Sequence, residues 1–182
     1  MKYTVRPLNG KKYYDTVDVK AIVLHTDLGV YRGTYSWLNQ IEASYHLYVR
    51  RDANEIVEFV PLDKGAWHSG RYNQPNERVK ELFKGKNPNR YSIGICYENG
   101  GSKAQYPTEA QKALVASFIV NNGLSHLPLI AHREIALDKP REVYAFRDGI
   151  KDLIKEVKTC DIKKFSTREV INDIIRRFSG KI

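Results

Sequence analysis

Short apolar runs separated by polar turns recur along the chain and predict alternating strands and helices. Two of these runs end on a histidine, which is typical of a buried β-strand whose last residue reaches a sheet edge. Another two are joined by a turn at residues 52–54 and predict a β-hairpin. The predicted strands cover residues 20–26, 45–50, 55–60, 91–97 and 127–133.

Helical periodicity fills much of the sequence between these strands. Thr108 and Gln111 have the spacing of a capping box and predict a helix over residues 109–122 that Gly123 closes. The polar stretch over residues 71–90 predicts a surface loop with at most one helical turn. The other predicted helices are residues 33–42, a helix beyond Glu142 and an amphipathic segment over residues 166–178. This order of elements predicts an α/β fold.

Length and composition narrow the class of protein. The chain has 182 residues, which suits one domain with a sizeable core, and Cys96 and Cys160 are too few for a disulfide framework. It lacks the roughly eighteen consecutive apolar residues of a membrane helix, and residues 1–10 lack the apolar core of a signal peptide. We therefore expect no integral membrane segment and synthesis in the cytoplasm without a signal peptide. Any action outside the inner membrane would then need another factor for release.

The net charge of +9 indicates an anionic partner, which could be nucleic acid, a membrane surface or an acidic cell-wall polymer. Arg-Gly repeats and the spacings of zinc fingers or helix-turn-helix motifs are absent from the sequence, so specific nucleic-acid recognition is not expected. From residue 151 onward nine Lys or Arg stand against five Asp or Glu, which can be a solvated helix face or a binding arm.

His25 and His132 are the strongest candidates for chemistry, because each closes a predicted strand. A neutral imidazole is the commonest metal ligand in proteins, so two of them at strand ends suggest a zinc site. The alternative is that each is a hydrogen-bonded structural histidine.

Six motifs in a fixed order make the chain similar to the type 2 N-acetylmuramoyl-L-alanine amidases. That family shares its fold with peptidoglycan recognition proteins, and the pattern is closest to phage endolysins of the T7 lysozyme type. The resemblance covers about residues 20–144 and implies a central mixed β-sheet flanked by helices, with a zinc cleft at one sheet edge. The motifs are Ile22-Val-Leu-His25-Thr, Ala43-Ser-Tyr45-His46-Leu-Tyr-Val, Ala66-Trp67-His68-Ser-Gly, Ser92-Ile-Gly-Ile-Cys96, Pro107-Thr-Glu-Ala-Gln and Ala131-His132-Arg-Glu-Ile-Ala.

The resemblance also implies a ligand set. In the family two histidines and one Cys or Asp bind zinc, and this chain has Pro140 at the position of the family's Cys and Glu142 at that of its Asp. We therefore expect His25, His132 and Glu142 to bind Zn²⁺, with Asp138 as the competing carboxylate. If neither carboxylate binds, the chain would resemble recognition proteins that bind peptidoglycan without cutting it.

Two further positions match residues that assist catalysis in the family. Tyr45 matches a tyrosine that points at the metal, and Lys139 lies within one residue of a basic oxyanion stabiliser. Strand alternation would place His46 on the opposite face from Tyr45, as a packed or hydrogen-bonded residue. Cys96 stands where other members carry a glutamate, and we expect it to be a buried strand residue.

The family position of His68 lines the substrate cleft, where it can hydrogen-bond glycan or peptide. Trp67, its neighbour, could present its ring to a sugar or fill the core. We predict an amidase domain over residues 1–160 and a basic helical extension over residues 161–182. The expected reaction is hydrolysis of the amide between the lactyl group of N-acetylmuramic acid and L-alanine in peptidoglycan, by a monomer that acts as an endolysin or lytic amidase.

Overall fold

The computed structural model of the protein describes residues 2–52, 54–70, 74–101 and 106–161, with side chains as far as residue 156. The predicted segment over residues 166–178, and nearly all of the predicted extension over residues 161–182, lie outside the described residues. The strands within these residues are β1 (Lys2–Val5), β2 (Tyr13–Tyr14), β3 (Ala21–Thr26), β4 (Leu47–Val49), β5 (Glu55–Glu58), β6 (Gly65–Ala66), β7 (Ser92–Tyr97) and β8 (Leu129–Ala131). The α-helices in the same part of the chain are α1 (Tyr31–Leu38), α2 (Glu77–Phe83), α3 (Glu109–Asn121) and α4 (Glu142–Asp161).

Six of the strands form one mixed sheet in the order β1-β5-β4-β7-β3-β8, which confirms the predicted α/β fold. Strands β4 and β5 pair antiparallel, so the predicted hairpin is confirmed. Strand β3 runs parallel to both β7 and β8, and the C-terminal ends of these strands meet at one edge of the sheet. That edge is where open α/β sheets bind ligands. Strands β2 and β6 form a separate antiparallel pair.

Side chains alternate across the central strands and bury both faces of the sheet. Ile22 and Leu24 of β3 pack with residues of α3 and α4. Ala21 and Val23 point to the opposite face and pack against α2. His25 follows the same alternation as Ala21 and Val23, so it lies on the face that α1 and α2 cover. The alternation of one buried strand therefore decides which helices surround the histidine.

Helix α3 begins where the sequence predicts. The Thr108 side chain accepts a hydrogen bond from the Gln111 backbone N–H at 3.1 Å, and the Gln111 side chain accepts one from the Thr108 N–H at 3.0 Å. This reciprocal pair is the predicted capping box. Gly123 follows the helix with a φ of +67°, a left-handed conformation that favours glycine.

The structure corrects the sequence prediction in two places. Helix α2, two turns long, lies inside the stretch predicted to be loop with at most one turn; the Asn76 side chain caps it by accepting from the Val79 N–H. Strand β4 begins only at Leu47, so Tyr45 and His46 precede it. Among the helices in the described part of the chain, none is both long and apolar enough to cross a membrane.

Candidate active site

His25 and His132 meet at the edge where β3 and β8 end. His25 is the fifth residue of β3, and His132 opens a 3-10 turn directly after β8. Their Nδ1 atoms lie 2.8 Å apart, although the residues are 107 positions apart in sequence. The predicted pairing of these two histidines is therefore present in the fold.

A third histidine stands behind this pair. The Nδ1 atom of His68 lies 3.0 Å from Nε2 of His25, and Nε2 of His68 lies 3.3 Å from the backbone oxygen of Ser92. The ring of His68 rests on Gly94 of β7, where an added Cβ would come within 2.4 Å of the ring. Glycine at position 94 is therefore what leaves space for the third imidazole.

The outer nitrogen of His132 also has a partner. Its Nε2 lies 3.0 Å from the backbone oxygen of Ser69. The Asn89 side chain holds the same segment, because its Oδ1 accepts from the backbone N–H groups of His68 at 3.0 Å and Ser69 at 2.7 Å. Consecutive residues thus contact both members of the histidine pair.

The surroundings keep both paired histidines uncharged near neutral pH. Burial lowers the pKa of His25 well below its ordinary value, and the charges of His132, His68 and Lys139 lower it further. Burial lowers the pKa of His132 to about 4. The charge of Lys139 lowers this pKa further, whereas the hydrogen bond with Ser69 and the charge of Asp138 raise it. A neutral imidazole is the form that binds a metal.

A cleft of about 480 Å³ opens beside His132. Tyr45 and Lys139 line this cleft together with His132, so the structure brings three of the sequence-predicted site residues to one cavity. The Tyr45 ring also packs against the His25 ring, with centroids 5.2 Å apart. The remaining lining residues are Thr26, Asp27, Leu28, Gly29, Gly33, Thr34, Trp37, Pro140 and Val143.

The Tyr45 side chain lies close to the buried thiol of Cys96. Burial raises the pKa of Tyr45 well above its ordinary value, and the neighbouring thiol contributes to this rise, so the phenol keeps its proton at neutral pH and can act as a donor. Burial likewise raises the pKa of the Cys96 thiol, which agrees with a buried strand residue rather than a nucleophile.

The loop between β8 and α4 carries Asp138 and Lys139, and the second candidate carboxylate, Glu142, is the first residue of α4. Lys139 lies 3.6 Å from Asp138, whose side chain is 68 % exposed. The charge of Asp138 raises the pKa of His132, whereas the charge of Glu142, at the start of α4, acts on Tyr97. Of the two carboxylates, Asp138 is therefore the one whose charge acts on His132.

The fit of a metal to this site rests on the donor chemistry of the histidine pair. Two uncharged imidazole nitrogens converge at 2.8 Å beside an open cleft, which suits zinc. Within the described residues, no three His, Cys, Asp or Glu side chains are already arranged to hold a metal ion. His25 and His132 fit the metal, and the assignment of Glu142 as third ligand stays a prediction.

His46 is packed and hydrogen-bonded, as predicted, but on the same face as Tyr45. Its Nδ1 accepts from the Gly94 N–H at 2.9 Å, and its Nε2 lies 2.7 Å from the Lys64 carbonyl oxygen. Its ring contacts that of His68, with centroids 5.8 Å apart. The prediction of opposite faces is wrong because Tyr45 precedes β4 and packs against His25 instead of following the alternation of that strand.

His68 and Trp67 were expected to line the cleft, and neither is among its lining residues. His68 is only 5 % exposed and supports His25 from behind, so its placement differs from the predicted contact with substrate. Trp67 is half-buried and packs edge-on against Tyr14, with ring centroids 6.1 Å apart. Their roles in binding substrate stay predictions without support from these contacts.

Sequence reasoning missed Asp27 and Trp37, which both line the cleft. Asp27 accepts from the Thr34 and Tyr48 hydroxyls and, at 3.1 Å, from the Asn99 N–H. Burial raises its pKa despite these bonds. Trp37 is 53 % exposed on α1. The position of Asp27, two residues after His25, was a signal that could have found it. The sequence holds no such signal for Trp37, because an aromatic residue in a short helix usually packs in a core.

Comparison with known proteins agrees with this geometry. The model of the family described as N-acetylmuramoyl-L-alanine amidase matches residues 15–142, and the chain belongs to that family. It is 32 % identical over 120 residues to the 1,6-anhydro-N-acetylmuramyl-L-alanine amidase AmpD of Salmonella typhimurium (strain LT2), covering 59 % of each chain. It is 34 % identical over 99 residues to AmpD of Citrobacter freundii, covering 54 % of this chain and 46 % of that one. The chain thus spans about three-fifths or less of the length of these relatives.

Solved structures show the same fold at lower identity. The catalytic domain of XlyA superposes with a TM-score of 0.58 at 18 % identity, covering 82 % of this chain and 99 % of that one. A mutant endolysin from Bacillus subtilis gives a TM-score of 0.59 at 18 % identity, covering 85 % and 99 % of the two chains. Together with the family membership, these likenesses place the described sheet and helices in the fold of type 2 amidases.

Proposed function

We propose that this protein is a zinc-dependent amidase that hydrolyses the bond between the lactyl group of N-acetylmuramic acid and L-alanine in peptidoglycan. The observation that carries the proposal is the convergence of His25 and His132 Nδ1 atoms at 2.8 Å, beside a cleft that Tyr45 and Lys139 line. Family membership and the AmpD relatives, whose name specifies a muramyl-L-alanine amide, support the same bond as substrate.

The proposed chemistry divides between the metal and the side chains around it. When bound, zinc supplies a Lewis acid that lowers the pKa of a water and polarises the scissile carbonyl. His25 and His132 hold the ion as neutral ligands. The Lys139 ammonium and the Tyr45 hydroxyl, both on the cleft wall, stabilise the negative charge that develops on the carbonyl oxygen.

A carboxylate from the loop between β8 and α4, or from the first residue of α4, completes the proposed ligand set. Glu142 is the ligand that the family spacing favours, and Asp138 is the one whose charge already acts on His132. The Asp138 side chain is mostly exposed and contacts Lys139, so it must turn away from Lys139 to join the histidines.

The test combines zinc content with release of soluble peptide from purified peptidoglycan. The unmodified protein should hold one zinc and release peptide, and His132→Ala should lose both. Loss of both with Asp138→Ala, but not with Glu142→Ala, assigns the third ligand to Asp138; the reverse result assigns Glu142. Retention of zinc and activity by both variants would contradict a carboxylate ligand from this part of the chain.

One observation favours a second candidate function. Among the described side chains no group of three potential ligands is already assembled. A protein that binds peptidoglycan without cutting it needs the cleft but no complete metal site. If the unmodified protein sediments with the wall, holds no stoichiometric zinc and releases no peptide, this binding function replaces the amidase.

The form of the substrate separates two further roles. Supplying intact peptidoglycan and a soluble 1,6-anhydromuropeptide in parallel tests whether the chain acts as a wall-lytic, endolysin-like amidase or on the class of substrate that the AmpD name specifies. We propose the first role, because the catalytic domain of XlyA and the Bacillus endolysin share the fold over 99 % of their length. Synthesis in the cytoplasm and release by another factor stay predictions.

A further inference from the structure

Two consecutive residues, His68 and Ser69, contact the outer nitrogens of the histidine pair. We propose that this His68–Ser69 segment sets the tautomer of both His25 and His132 and thereby turns two bare Nδ1 lone pairs toward one cation. His68 and Ser69 are positioning residues on this proposal. It rests on the proposed function only in naming the cation as the catalytic metal, whereas the tautomers belong to the metal-free protein as well.

The tautomer of His132 follows from the chemistry of its partner. Its Nε2 lies 3.0 Å from the Ser69 carbonyl oxygen, which can only accept a hydrogen bond. Nε2 of His132 therefore carries the proton and donates it to Ser69. Because the ring is neutral, its Nδ1 carries a lone pair and no proton.

The tautomer of His25 is fixed through a longer series of contacts that begins at Ser92. The Ser92 hydroxyl donates to the Pro88 carbonyl oxygen at 2.7 Å, so toward His68 it can only accept. Both the hydroxyl and the carbonyl oxygen of Ser92 lie 3.3 Å from Nε2 of His68, and this nitrogen must therefore be the donor.

The proton on Nε2 of His68 leaves its Nδ1 as an acceptor. That Nδ1 lies 3.0 Å from Nε2 of His25, so His25 donates from Nε2 and its own Nδ1 is bare. Two lone pairs then face each other across the 2.8 Å that separates His25 and His132. They repel unless a cation lies between or beside them, which makes the pair a site prepared for a positive ion.

The segment that imposes this arrangement is itself held firmly. The Asn89 Oδ1 atom accepts from both backbone N–H groups of the segment, and Asn89 is 7 % exposed. Gly94 leaves the space that the His68 ring occupies. Asn89 and Gly94 lie just before and within β7, so the contacts that hold the segment come from residues outside the loop that carries Lys139.

The first test reads the tautomers directly in the metal-free, unmodified protein. Nitrogen-15 NMR of the imidazole rings distinguishes a protonated from a bare ring nitrogen. The proposal expects His25, His68 and His132 all to carry the proton on Nε2. A proton on Nδ1 of either His25 or His132 would overturn it, and this outcome does not depend on any variant folding.

The second test measures the affinity for zinc and for Co²⁺ by competition with a chelator. His68→Leu removes the acceptor for His25, and we expect an affinity about 10- to 100-fold lower, as for other second-layer partners of metal-binding histidines. His68→Asn keeps an oxygen that can accept near the position of Nδ1 and should recover part of the loss. In the NMR spectrum of His68→Leu, His25 should lose its tautomer preference while His132 keeps it.

Gln111→Leu serves as the matched control. Gln111 is fully buried and donates to the Val49 and Glu98 carbonyl oxygens, so the variant removes buried hydrogen bonds without touching the histidines. An equal loss of affinity in Gln111→Leu and His68→Leu would overturn the positioning role. If the protein binds no zinc but shows the expected tautomers, the inference holds and the proposed amidase fails. If it binds zinc with other tautomers, the inference fails and the proposed amidase stands.

Discussion

The two sides of the His25–His132 pair are built differently. On one side the His68–Ser69 segment is buried, and its backbone N–H groups and the His68 ring nitrogens have close partners. On the other side Asp138 and Lys139 lie in a loop, with side chains 68 % and 35 % exposed. The fold thus fixes two neutral imidazoles in advance, whereas the charged groups around them lie on more accessible parts of the chain.

Such a division suits a catalytic metal better than a structural one. Structural zinc sites are closed by four protein ligands, whereas catalytic sites keep a position open for water and substrate. The buried His68–Ser69 segment supplies rigidity. The loop with Asp138 and Lys139 supplies charge and access from the cleft.

The largest effect on stability is expected from Glu134, which holds the turn that carries His132. Its carboxylate accepts from the Ala131 N–H and from Arg147, each at 2.8 Å, and its side chain is 6 % exposed. Glu134→Ala leaves Arg147 without this partner, and we expect a loss of about 3 kcal/mol in the free energy of unfolding, measured by urea denaturation.

Glu77→Ala is the control for that change, since Glu77 pairs with Lys80 in the open, with side chains 90 % and 53 % exposed. Its loss should stay below about 0.5 kcal/mol. Equal losses in the two variants would show that the turn after β8 is not a fixed part of the site.

Gly94→Ala tests the buried side. The new methyl group would lie within 2.4 Å of the His68 ring, so either the ring or strand β7 must move. We expect a loss of about 3 kcal/mol in unfolding free energy, at the upper end for an overpacked core, together with weaker zinc binding. Gly33→Ala, where no atom lies within 4 Å of the added Cβ, should be neutral or stabilising by up to about 1 kcal/mol. An unchanged zinc affinity in Gly94→Ala would separate His68 from the metal site.

Lys139→Met tests the exposed side. If the ammonium stabilises the oxyanion, kcat for peptide release should fall about a hundredfold with zinc content unchanged. The unfolding free energy should change by less than about 1 kcal/mol, because the ion-pair partner of Lys139 is the mostly exposed Asp138. Lys80→Met provides a matched change on the surface of α2 and should retain full activity. A drop in zinc content in Lys139→Met would instead make this loop part of the metal's support.

The smallest effect concerns pH. Burial lowers the pKa of His46 from 6.5 to about 4, so the unfolded chain binds more protons than the fold between these values. Stability is therefore complete above about pH 6.5 and falls as the pH drops toward 4. For the metal-free protein we expect a loss on the order of 2 kcal/mol at pH 5 relative to pH 7.5 from this group. A urea midpoint that stays constant between these two pH values would contradict the buried, neutral state.

Much of the fold could be predicted from the sequence, because the deciding signals are local. Strand β3 is a continuous apolar run, and Thr108 and Gln111 mark the first residue of helix α3. Helix α2 escaped prediction because Asn76 caps it within a polar stretch, and the helix buries only Val79 and Phe83. Strand β1 also escaped prediction. Its own residues carry little apolar signal, and the strand that it pairs with, β5, lies some fifty positions away in the sequence.

The candidate site was predictable only in part. Each histidine of the pair could be found from the strand that it ends, and Tyr45 and Lys139 from family motifs. The contact by which His68 supports His25 could not be predicted, because the His68 ring fits there only when position 94 of the neighbouring strand is a glycine. The error over His46 has the same origin, since the starting residue of β4 is set by pairing with β5 and β7 rather than by its own sequence.

The order of strands in the sheet also bears on when the protein can become active during synthesis. Strand β3 pairs with β7 and β8, so the first histidine of the pair waits for more than a hundred further residues before its partner exists. Contacts this distant in sequence form late, because the intervening chain must first be closed into a loop. A nascent or truncated chain that stops before His132 would contain Tyr45, His68 and Asn89 and still have no paired ligand. If the pair binds zinc as proposed, the appearance of zinc binding would report completion of the sheet.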